Sequence, residues 1–340
     1  MKKIIYLHIG PHKTGTTTIQ KGLLINENVL DDKGVLVPKA GRSMTLTAGH
    51  HNLAWELLGN QLFDPSYGTW DNLINEIENS INTNKFILSA EDFCGLSNDT
   101  IEIIREKTKR YTVKVIIYLR RQDQALQSTW VSRVRNRFVK PKIGSFYEWL
   151  EKKEYQSKNT NYYSLIKRWE KVFLKESIIL VPFSQNFIKQ NLFGHFLSLC
   201  GLSNDDITTP PNLNMTPGVK TIEAMRMIKN SIKFSDINPD TWSLIASSIM
   251  DFGDEKGWNQ FKLNYLDKKL SRKIMKHHEK SNHKIEVEYF NSKSVFDKKL
   301  SKQNNSDKFT YDKFIKSEVL ILFSFILLYL DQKFLPKRNL

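Results

Sequence analysis

A loop rich in glycine, lysine and threonine is the segment best equipped to bind an anion. Residues 10–18 read Gly-Pro-His-Lys-Thr-Gly-Thr-Thr-Thr, between an apolar run and a helical pattern. Glycines let the backbone turn tightly and expose amide groups, and a helix start adds partial positive charge. Lys13 adds a full charge, while Thr16, Thr17 and Thr18 add hydroxyls. The pattern predicts a phosphate cradle; the alternative is an ordinary strand–turn–helix with a threonine cap.

The loop differs from the phosphate loop of ATP- and GTP-binding proteins. That motif needs a lysine directly after its second glycine. Here Thr16 has that place, and Lys13 lies two residues before Gly15. A magnesium ligand would also be needed, and Asp92 is the one aspartate at a predicted strand end that could serve. A nucleotide kinase or NTPase therefore remains the alternative enzyme class.

A second segment pairs an arginine with a hydroxyl. Arg120 ends the strongest predicted strand, and Ser128 lies eight residues later, about two turns into the next predicted helix. A guanidinium fork with a nearby hydroxyl suits a phosphate group. Taken alone, the segment fits a solvated basic turn equally well.

Three side chains are candidate bases. A predicted strand at Lys85–Ser89 places Glu91 at its carboxyl edge, where open parallel sheets bind their ligands. The same edge of the sheet would then carry Lys13, Glu91 and Arg120. Glu91 could there take a proton from an acceptor hydroxyl or amine. An N-capping or salt-bridging Glu-Asp pair is the alternative. His50 and His51 are rival bases, since imidazole titrates near pH ~6.5, but they suit helix caps or substrate hydrogen bonds equally well.

The elements that position these residues alternate between short apolar runs and helical patterns. This alternation predicts an α/β fold with a mostly parallel sheet covered by helices on both faces, followed by a helical C-terminal half. Predicted strands are Lys3–Ile9, Val35–Val37, Lys85–Ser89, Val113–Leu119 and Ser177–Val181, the last ended by Pro182; predicted helices are Thr16–Leu24, 70–82, 97–109, 122–136 and 160–174. We expect one domain over 1–300 and a polar linker with an apolar helix over 301–340.

Charge and composition narrow the classes of protein to which the chain can belong. The chain has 340 residues, of which 40% are hydrophobic and 26% charged, which excludes wholesale disorder. Its net charge of +15 indicates an anionic partner or simply a lysine-rich surface. A nucleic-acid-binding protein is a weaker alternative, because no helix-turn-helix, finger or RNP-type motif is recognised. The two cysteines form neither a disulfide framework nor a zinc pattern, and a reducing compartment is the simpler assumption.

Two further segments bear on location and on the basic surface. No secretory signal is recognised, and the expected location is the cytoplasm. Val319–Leu330 is apolar but spans only about 18 Å as a helix, against a hydrocarbon core of about 30 Å. It is either a terminal helix docked on the core or a peripheral contact with the inner face of the membrane. Leu266, Leu270 and Ile274 predict an amphipathic helix, and His277 and His278 are expected on its solvated basic face.

Together, the two phosphate-type segments resemble those of the sulfotransferases that use 3′-phosphoadenosine 5′-phosphosulfate (PAPS), particularly the bacterial and carbohydrate-type branch. The resemblance rests on the opening His-Ile-Gly-x-x-Lys-Thr-Gly-Thr-Thr and on a strand followed by Leu-Arg-Arg-Gln-Asp. Weaker similarities run through Tyr162-Tyr163, Val181-Pro182-Phe183 and Ser281-Asn282, so that it covers about residues 1–300. It implies a three-layer fold related to P-loop nucleotide-binding proteins.

The resemblance also implies a role for each matched residue. In the family, the Lys-x-Gly-Thr-Thr loop binds the 5′-phosphosulfate, and the Arg and Ser bind the 3′-phosphate. By position, Arg120 and Ser128 form the 3′ pair. The 5′ loop comprises Lys13, Thr14, Gly15, Thr16, Thr17 and Thr18. The implied acceptor is a glycan or lipid-linked saccharide, the implied base is a Glu or His, and no metal is expected.

The sequence departs from the family pattern at three points. Thr18 replaces the aromatic residue that often follows Gly-Thr-Thr, and Gln122 replaces the proline often found two residues after the arginine. The Arg-Lys-Gly segment that closes over the nucleotide in cytosolic members has no match, so the adenine contacts are unassigned.

Overall fold

The computed structural model describes residues 2–42, 48–140, 142–152, 154–156, 160–183, 191–210, 217–231, 238–260 and 265–296. The strands are β1 (Ile4–His8), β2 (Val35–Leu36), β3 (Lys85–Ser89), β4 (Thr112–Arg120) and β5 (Ile178–Phe183). The helices are α1 (Thr16–Ile25), α2 (Glu27–Asp32), α3 (His51–Leu58), α4 (Trp70–Asn79), α5 (Asn98–Lys107), α6 (Gln122–Arg135), α7 (Phe146–Glu151), α8 (Tyr162–Phe173), α9 (Leu192–Leu199), α10 (Val219–Ser231), α11 (Pro239–Glu255) and α12 (Lys268–Phe290). A short 3₁₀ helix, Glu91–Gly95, follows β3.

The five strands form one parallel sheet in the order β2-β3-β1-β4-β5. Successive residues of the central strand β1 enter different cores: Ile5 and Leu7 pack in one cluster and Tyr6 in another. A strand buried on both faces must be apolar at consecutive positions, which explains its Ile-Ile-Tyr-Leu run. The predicted α/β fold with a parallel central sheet flanked by helices is confirmed.

Side-chain caps begin two of the helices that flank the sheet, and a third flanking helix has a clear buried face. Thr69 caps α4 in a capping box with Asn72, and the Ser97 hydroxyl accepts the Thr100 amide at the start of α5. Such caps satisfy amide groups that lack an intrahelical partner, typically contributing about 1 kcal/mol each. The buried side of α8 carries six side chains at helical spacing: Tyr162, Leu165, Ile166, Trp169, Val172 and Phe173.

Three sequence-based expectations need correction. Pro182 does not end β5: it pairs with Leu119, and the strand continues to Phe183. β5 is an edge strand, where a residue without an amide hydrogen is tolerated. Helix α12 begins at Lys268, so Leu266 precedes it. His277 is exposed, as expected, but His278 is only 4% exposed because its side of the helix faces the core.

The chain divides into two compact units. The first comprises 1–125, 155–213 and 274–298 and contains the whole sheet. The described residues of the second lie within 126–154 and 214–273. Within the second, the Trp130 ring lies 4.9 Å from that of Tyr265, and the Tyr265 hydroxyl donates to the buried Glu223 carboxylate at 2.8 Å. The predicted linker after residue 300 and Val319–Leu330 lie outside the described residues. Among the helices that are described, none is long and apolar enough to cross a bilayer.

Candidate active site

Three neighbouring strands end side by side at the carboxyl edge of the sheet. His8, the last residue of β1, pairs with Ser89, the last of β3, and the Ala90 amide donates to the His8 carbonyl at 3.1 Å. The Tyr118 amide of β4 donates to the Gly10 carbonyl at 3.0 Å. The loop after β1, the 3₁₀ helix after β3 and the end of β4 therefore leave the sheet at one edge.

Left-handed backbone shapes the loop of residues 10–18. Gly10, Lys13 and Gly15 have φ values of 86°, 69° and 81°. A β-carbon on Gly10 would lie 3.0 Å from the Glu91 β-carbon, so only glycine allows this close approach. Thr14 is buried, and its hydroxyl donates to the Pro11 carbonyl at 2.6 Å. This hydroxyl therefore stabilises the loop itself. A non-glycine residue in this conformation, such as Lys13, is uncommon and typical of functional loops.

The start of α1 has no side-chain cap among the described residues. Gly15 precedes the helix, and its carbonyl accepts the amides of Thr18 and Ile19 at 3.0 and 3.2 Å. An uncapped helix start leaves its first amides, here those of Thr16 and Thr17, without an intrahelical acceptor. The alternative interpretation, a threonine cap, is therefore not seen among the described residues at this helix start, and the helix end can receive an anion.

Arg120 is a half-buried cation that makes no ion pair in the described part of the chain, although the Asp123 carboxylate attracts it at longer range. Its Nη1 donates to the Lys13 carbonyl at 2.7 Å, and its guanidinium lies 5.6 Å from the centre of the Phe183 ring. Its Nε is buried without a hydrogen-bond partner among the described residues. Burial lowers the pKa of Arg120, yet a guanidinium remains charged in proteins. An anion at this position would offset the cost of burying the charge.

The two residues after Arg120 have structural partners. Arg121 donates two hydrogen bonds to the Asp123 carboxylate, at 3.1 and 2.8 Å. Gln122 is fully buried and exchanges two amide hydrogen bonds with Asn282 of α12, at 2.7 and 3.2 Å. Gln122 thus joins the start of α6 to α12 at the position where the family often has proline.

Ser128 is half-buried on α6, two turns from its start, and belongs to the second compact unit. Its pairing with Arg120 at one phosphate stays a prediction.

Beside the loop lies a cluster of two carboxylates and an imidazole. His51 Nδ1 donates to Asp92 Oδ2 at 2.9 Å, and the Trp55 indole donates to the same oxygen at 2.7 Å. His51 Nε2 lies 3.5 Å from Glu91 Oε2, to which the Gln20 amide also donates at 2.9 Å. The structure therefore brings Glu91 and His51 together, as two candidates for one proton transfer.

Charges within the cluster oppose the effect of burial. Burial alone would raise the pKa of the Glu91 carboxyl, but His51, His12 and hydrogen bonds bring it below its usual value. Burial alone would lower the pKa of His51, but the Asp92 hydrogen bond and the charges of Glu91 and Asp92 raise it above 6.5. Both shifts therefore favour two carboxylates around one imidazolium.

His50 faces away from this cluster. The Ser89 amide donates to its Nδ1 at 3.2 Å, so its Nε2 carries the hydrogen that is donated to the Pro38 carbonyl at 2.9 Å. Burial and the charge of Arg42 lower the pKa of His50 to about 3. Both nitrogens are thus committed to backbone, and the alternative base moves from His50 to His51.

The sequence analysis did not place four residues of the cluster in the site: Gln20, Trp55, His12 and, as a partner of His51, Asp92. His12 is 44% exposed, with Nδ1 3.9 Å from Glu91 Oε1 and Nε2 3.7 Å from Asp92 Oδ1. The i, i+4 spacing of His51 and Trp55 was a usable signal, because it places both on one face of a helix. No group of three His, Cys, Asp or Glu among the described residues has a metal-binding arrangement.

Comparisons with known proteins give distant similarities. No family model matches the chain. An uncharacterized protein of Archaeoglobus fulgidus is 23% identical over 213 residues, which is 62% of this chain and about half, 55%, of that protein. The crystal structure of a sulfotransferase from Alicyclobacillus acidocaldarius aligns with a TM-score of 0.42 and 16% identity, over 66% of this chain and 91% of that one. Neither similarity is high enough to assign the chain to a family or to support an activity.

Proposed function

We propose that the protein is a sulfotransferase that moves a sulfonyl group from PAPS to a hydroxyl or amine of an acceptor. The observation that carries the proposal is the placement of Arg120. A half-buried guanidinium that makes no ion pair among the described residues lies next to a helix start with no described side-chain cap, and together they support two anion positions at one sheet edge. A nucleotide with a phosphate at each end of its ribose suits two such positions.

In this proposal, the loop holds the 5′ end of the donor. The amides of Thr16 and Thr17 and the charge of Lys13 bind the 5′-phosphate, with Thr18 at the edge of the same helix start. Arg120, with Ser128, binds the 3′-phosphate. The Lys13 carbonyl that accepts from Arg120 joins the two anion positions physically, at 2.7 Å.

The transfer is an in-line displacement at sulfur. The acceptor oxygen or nitrogen forms a bond to sulfur while the bond from sulfur to the 5′-phosphate oxygen breaks, and 3′,5′-ADP leaves. The acceptor proton passes to Glu91, which its surroundings keep ionised. Charge on the leaving phosphate is stabilised by Lys13 and the helix start, so that catalysis consists mainly of positioning and charge neutralisation.

The proposed class of acceptor rests on the family resemblance and on the net charge of the chain. The family resemblance favours a glycan or a lipid-linked saccharide, and the net charge of +15 suits an anionic acceptor. We propose a location in the cytoplasm, with contact through Val319–Leu330 at the inner face of the membrane if the saccharide is lipid-linked.

Transfer of label tests the proposal. The wild-type protein is incubated with ³⁵S-labelled PAPS and cell extract from its host, and the saccharide fraction is counted. We expect label in that fraction with the wild type and a loss of roughly 10²–10⁴-fold with Glu91→Gln. Binding of ATP–Mg²⁺ instead of 3′,5′-ADP would indicate a kinase or NTPase, and tight oligonucleotide binding with a steep salt dependence would indicate a nucleic-acid-binding protein.

A further inference from the structure

We infer that His51 is a positioning residue that holds Glu91 in place, and that it is not the base. The inference rests on the proposed sulfotransferase function. It assigns a role to an imidazole that lies between two carboxylates, next to the loop that would bind the donor.

Asp92 fixes the orientation of His51. Its Oδ2 accepts both the His51 Nδ1 hydrogen and the Trp55 indole hydrogen, at 2.9 and 2.7 Å. The Trp55 ring also lies 5.7 Å from the His51 ring, one turn along α3. With Nδ1 committed to Asp92, the ring can only present Nε2 to Glu91.

One oxygen of Glu91 is held and the other is left for the acceptor. The Oε2 atom faces both the Gln20 amide at 2.9 Å and His51 Nε2 at 3.5 Å. The Gln20 amide nitrogen also lies 3.4 Å from His51 Nε2, so the three groups form one cluster around Oε2. The Oε1 atom is directed towards the loop, where the exposed His12 lies 3.9 Å away. Oε1 is therefore the atom that receives the acceptor proton.

Access and charge argue against His51 as the base. Its side chain is only 7% exposed, whereas that of Glu91 is 19% exposed. A base must accept a proton at the working pH, and the two flanking carboxylates raise the pKa of His51, which favours the form that already carries one. Other titratable groups that interact electrostatically with the pair lie on several elements. His8 ends β1 and His12 lies in the loop, and both interact with Glu91. His50 precedes α3 and interacts with His51, while Cys94 lies on the carboxylates' own 3₁₀ helix.

The test measures the ionisation of Glu91 directly. Carboxyl-¹³C-glutamate is incorporated into the full chain, and the Glu91 signal is assigned by its loss in Glu91→Gln. In His51→Gln, which keeps a polar side chain without the charge, we expect the Glu91 carboxyl to titrate at higher pH than in the wild type. At pH values well below the pKa, each unit by which the pKa rises lowers the ionised fraction about tenfold. His283→Ala, a change of an exposed histidine on α12, is the matched control and should leave the signal unchanged.

Activity provides the second measurement. With His51→Gln, we expect the acidic limb of the transfer rate against pH to move to higher pH, with recovery of most of the rate above it. His51→Ala should recover less, since it also loses the contact that positions Oε2. Loss of the rate at every pH in His51→Gln, with normal 3′,5′-ADP binding, would make His51 the base. An unchanged Glu91 titration would overturn the inference whatever the protein does with PAPS, while failure of the wild type to bind 3′,5′-ADP would count against the proposed function alone.

Discussion

Replacement of Arg120 by methionine should have two effects of opposite sign. In the ligand-free protein, the half-buried guanidinium packs against Phe183, makes one described hydrogen bond, to Lys13, and forms no ion pair with a carboxylate in the described part of the chain. In the nucleotide complex, the same charge would face a phosphate. The change should therefore weaken nucleotide binding without weakening the free protein.

The magnitudes follow from these contacts. Arg120→Met loses one hydrogen bond of about 1 kcal/mol and a cation–π contact of about 0.5–1 kcal/mol. It also removes a half-buried charge that makes no ion pair among the described residues, and relief of the cost of desolvating that charge offsets these losses. The free energy of unfolding of the free protein should thus stay the same or rise. A charge-assisted contact to phosphate contributes about 1.5–3 kcal/mol, so the Kd for 3′,5′-ADP should rise about 10- to 150-fold.

Thermal unfolding with and without nucleotide measures both effects. At a ligand concentration 100 times the wild-type Kd, 3′,5′-ADP stabilises the wild type by about 2.7 kcal/mol, and a variant weakened 100-fold by about 0.4 kcal/mol. Arg110→Met is the matched control. Arg110 is exposed at the opposite end of β4 and pairs with Glu78 at 2.8 Å, an exposed contact that contributes little.

A fall of several degrees in the melting temperature of ligand-free Arg120→Met would refute the reasoning, because it would show that the guanidinium serves the fold. Unchanged nucleotide stabilisation in the variant would equally remove Arg120 from the anion site.

Four further outcomes are expected. Glu91→Gln should bind 3′,5′-ADP normally by calorimetry but transfer sulfonyl roughly 10²–10⁴-fold more slowly; full activity would move the base elsewhere. Gly10→Ala should lower the melting temperature, because its β-carbon would meet Glu91 at 3.0 Å and its φ is 86°. His51→Gln should lower the free energy of unfolding most between about pH 5 and 6.5, where the wild type has both the imidazolium and the carboxylates. The loss should be smaller above the raised pKa of His51, because the wild type loses its imidazolium there, and smaller at lower pH, because the carboxylates become protonated. If Val319–Leu330 contacts the membrane, truncation before it should abolish sedimentation with anionic liposomes and leave nucleotide affinity intact; if it is a docked helix, the melting temperature should fall strongly instead.

Local patterns in the sequence predict the sheet and its functional edge well. The apolar runs of β1, β3 and β4 and the glycine-rich loop are each readable within about ten residues. The rule that ligands bind at the carboxyl ends of parallel strands then places Glu91 and Arg120 on the same side as the loop. Pro182 was misjudged because a strand's position at the edge of a sheet depends on the whole topology.

Contacts between distant segments are what the sequence does not reveal. Gln122 and Asn282 are 160 positions apart, and nothing local couples them. The choice between His50 and His51 depends on where α3 begins, because consecutive residues at a helix start point in different directions. With His51 as its first residue, that side chain reaches Asp92 of another element, while His50 turns to backbone.

The most direct test of the central claim is calorimetric titration of the full chain with 3′,5′-ADP and with 5′-AMP. The two nucleotides differ only in the 3′-phosphate, which the account assigns to Arg120. We expect 3′,5′-ADP to bind about 10- to 150-fold more tightly, the equivalent of a charge-assisted contact of about 1.5–3 kcal/mol. Equal affinities for the two nucleotides would contradict the assignment of a 3′-phosphate site, and with it the proposed use of PAPS.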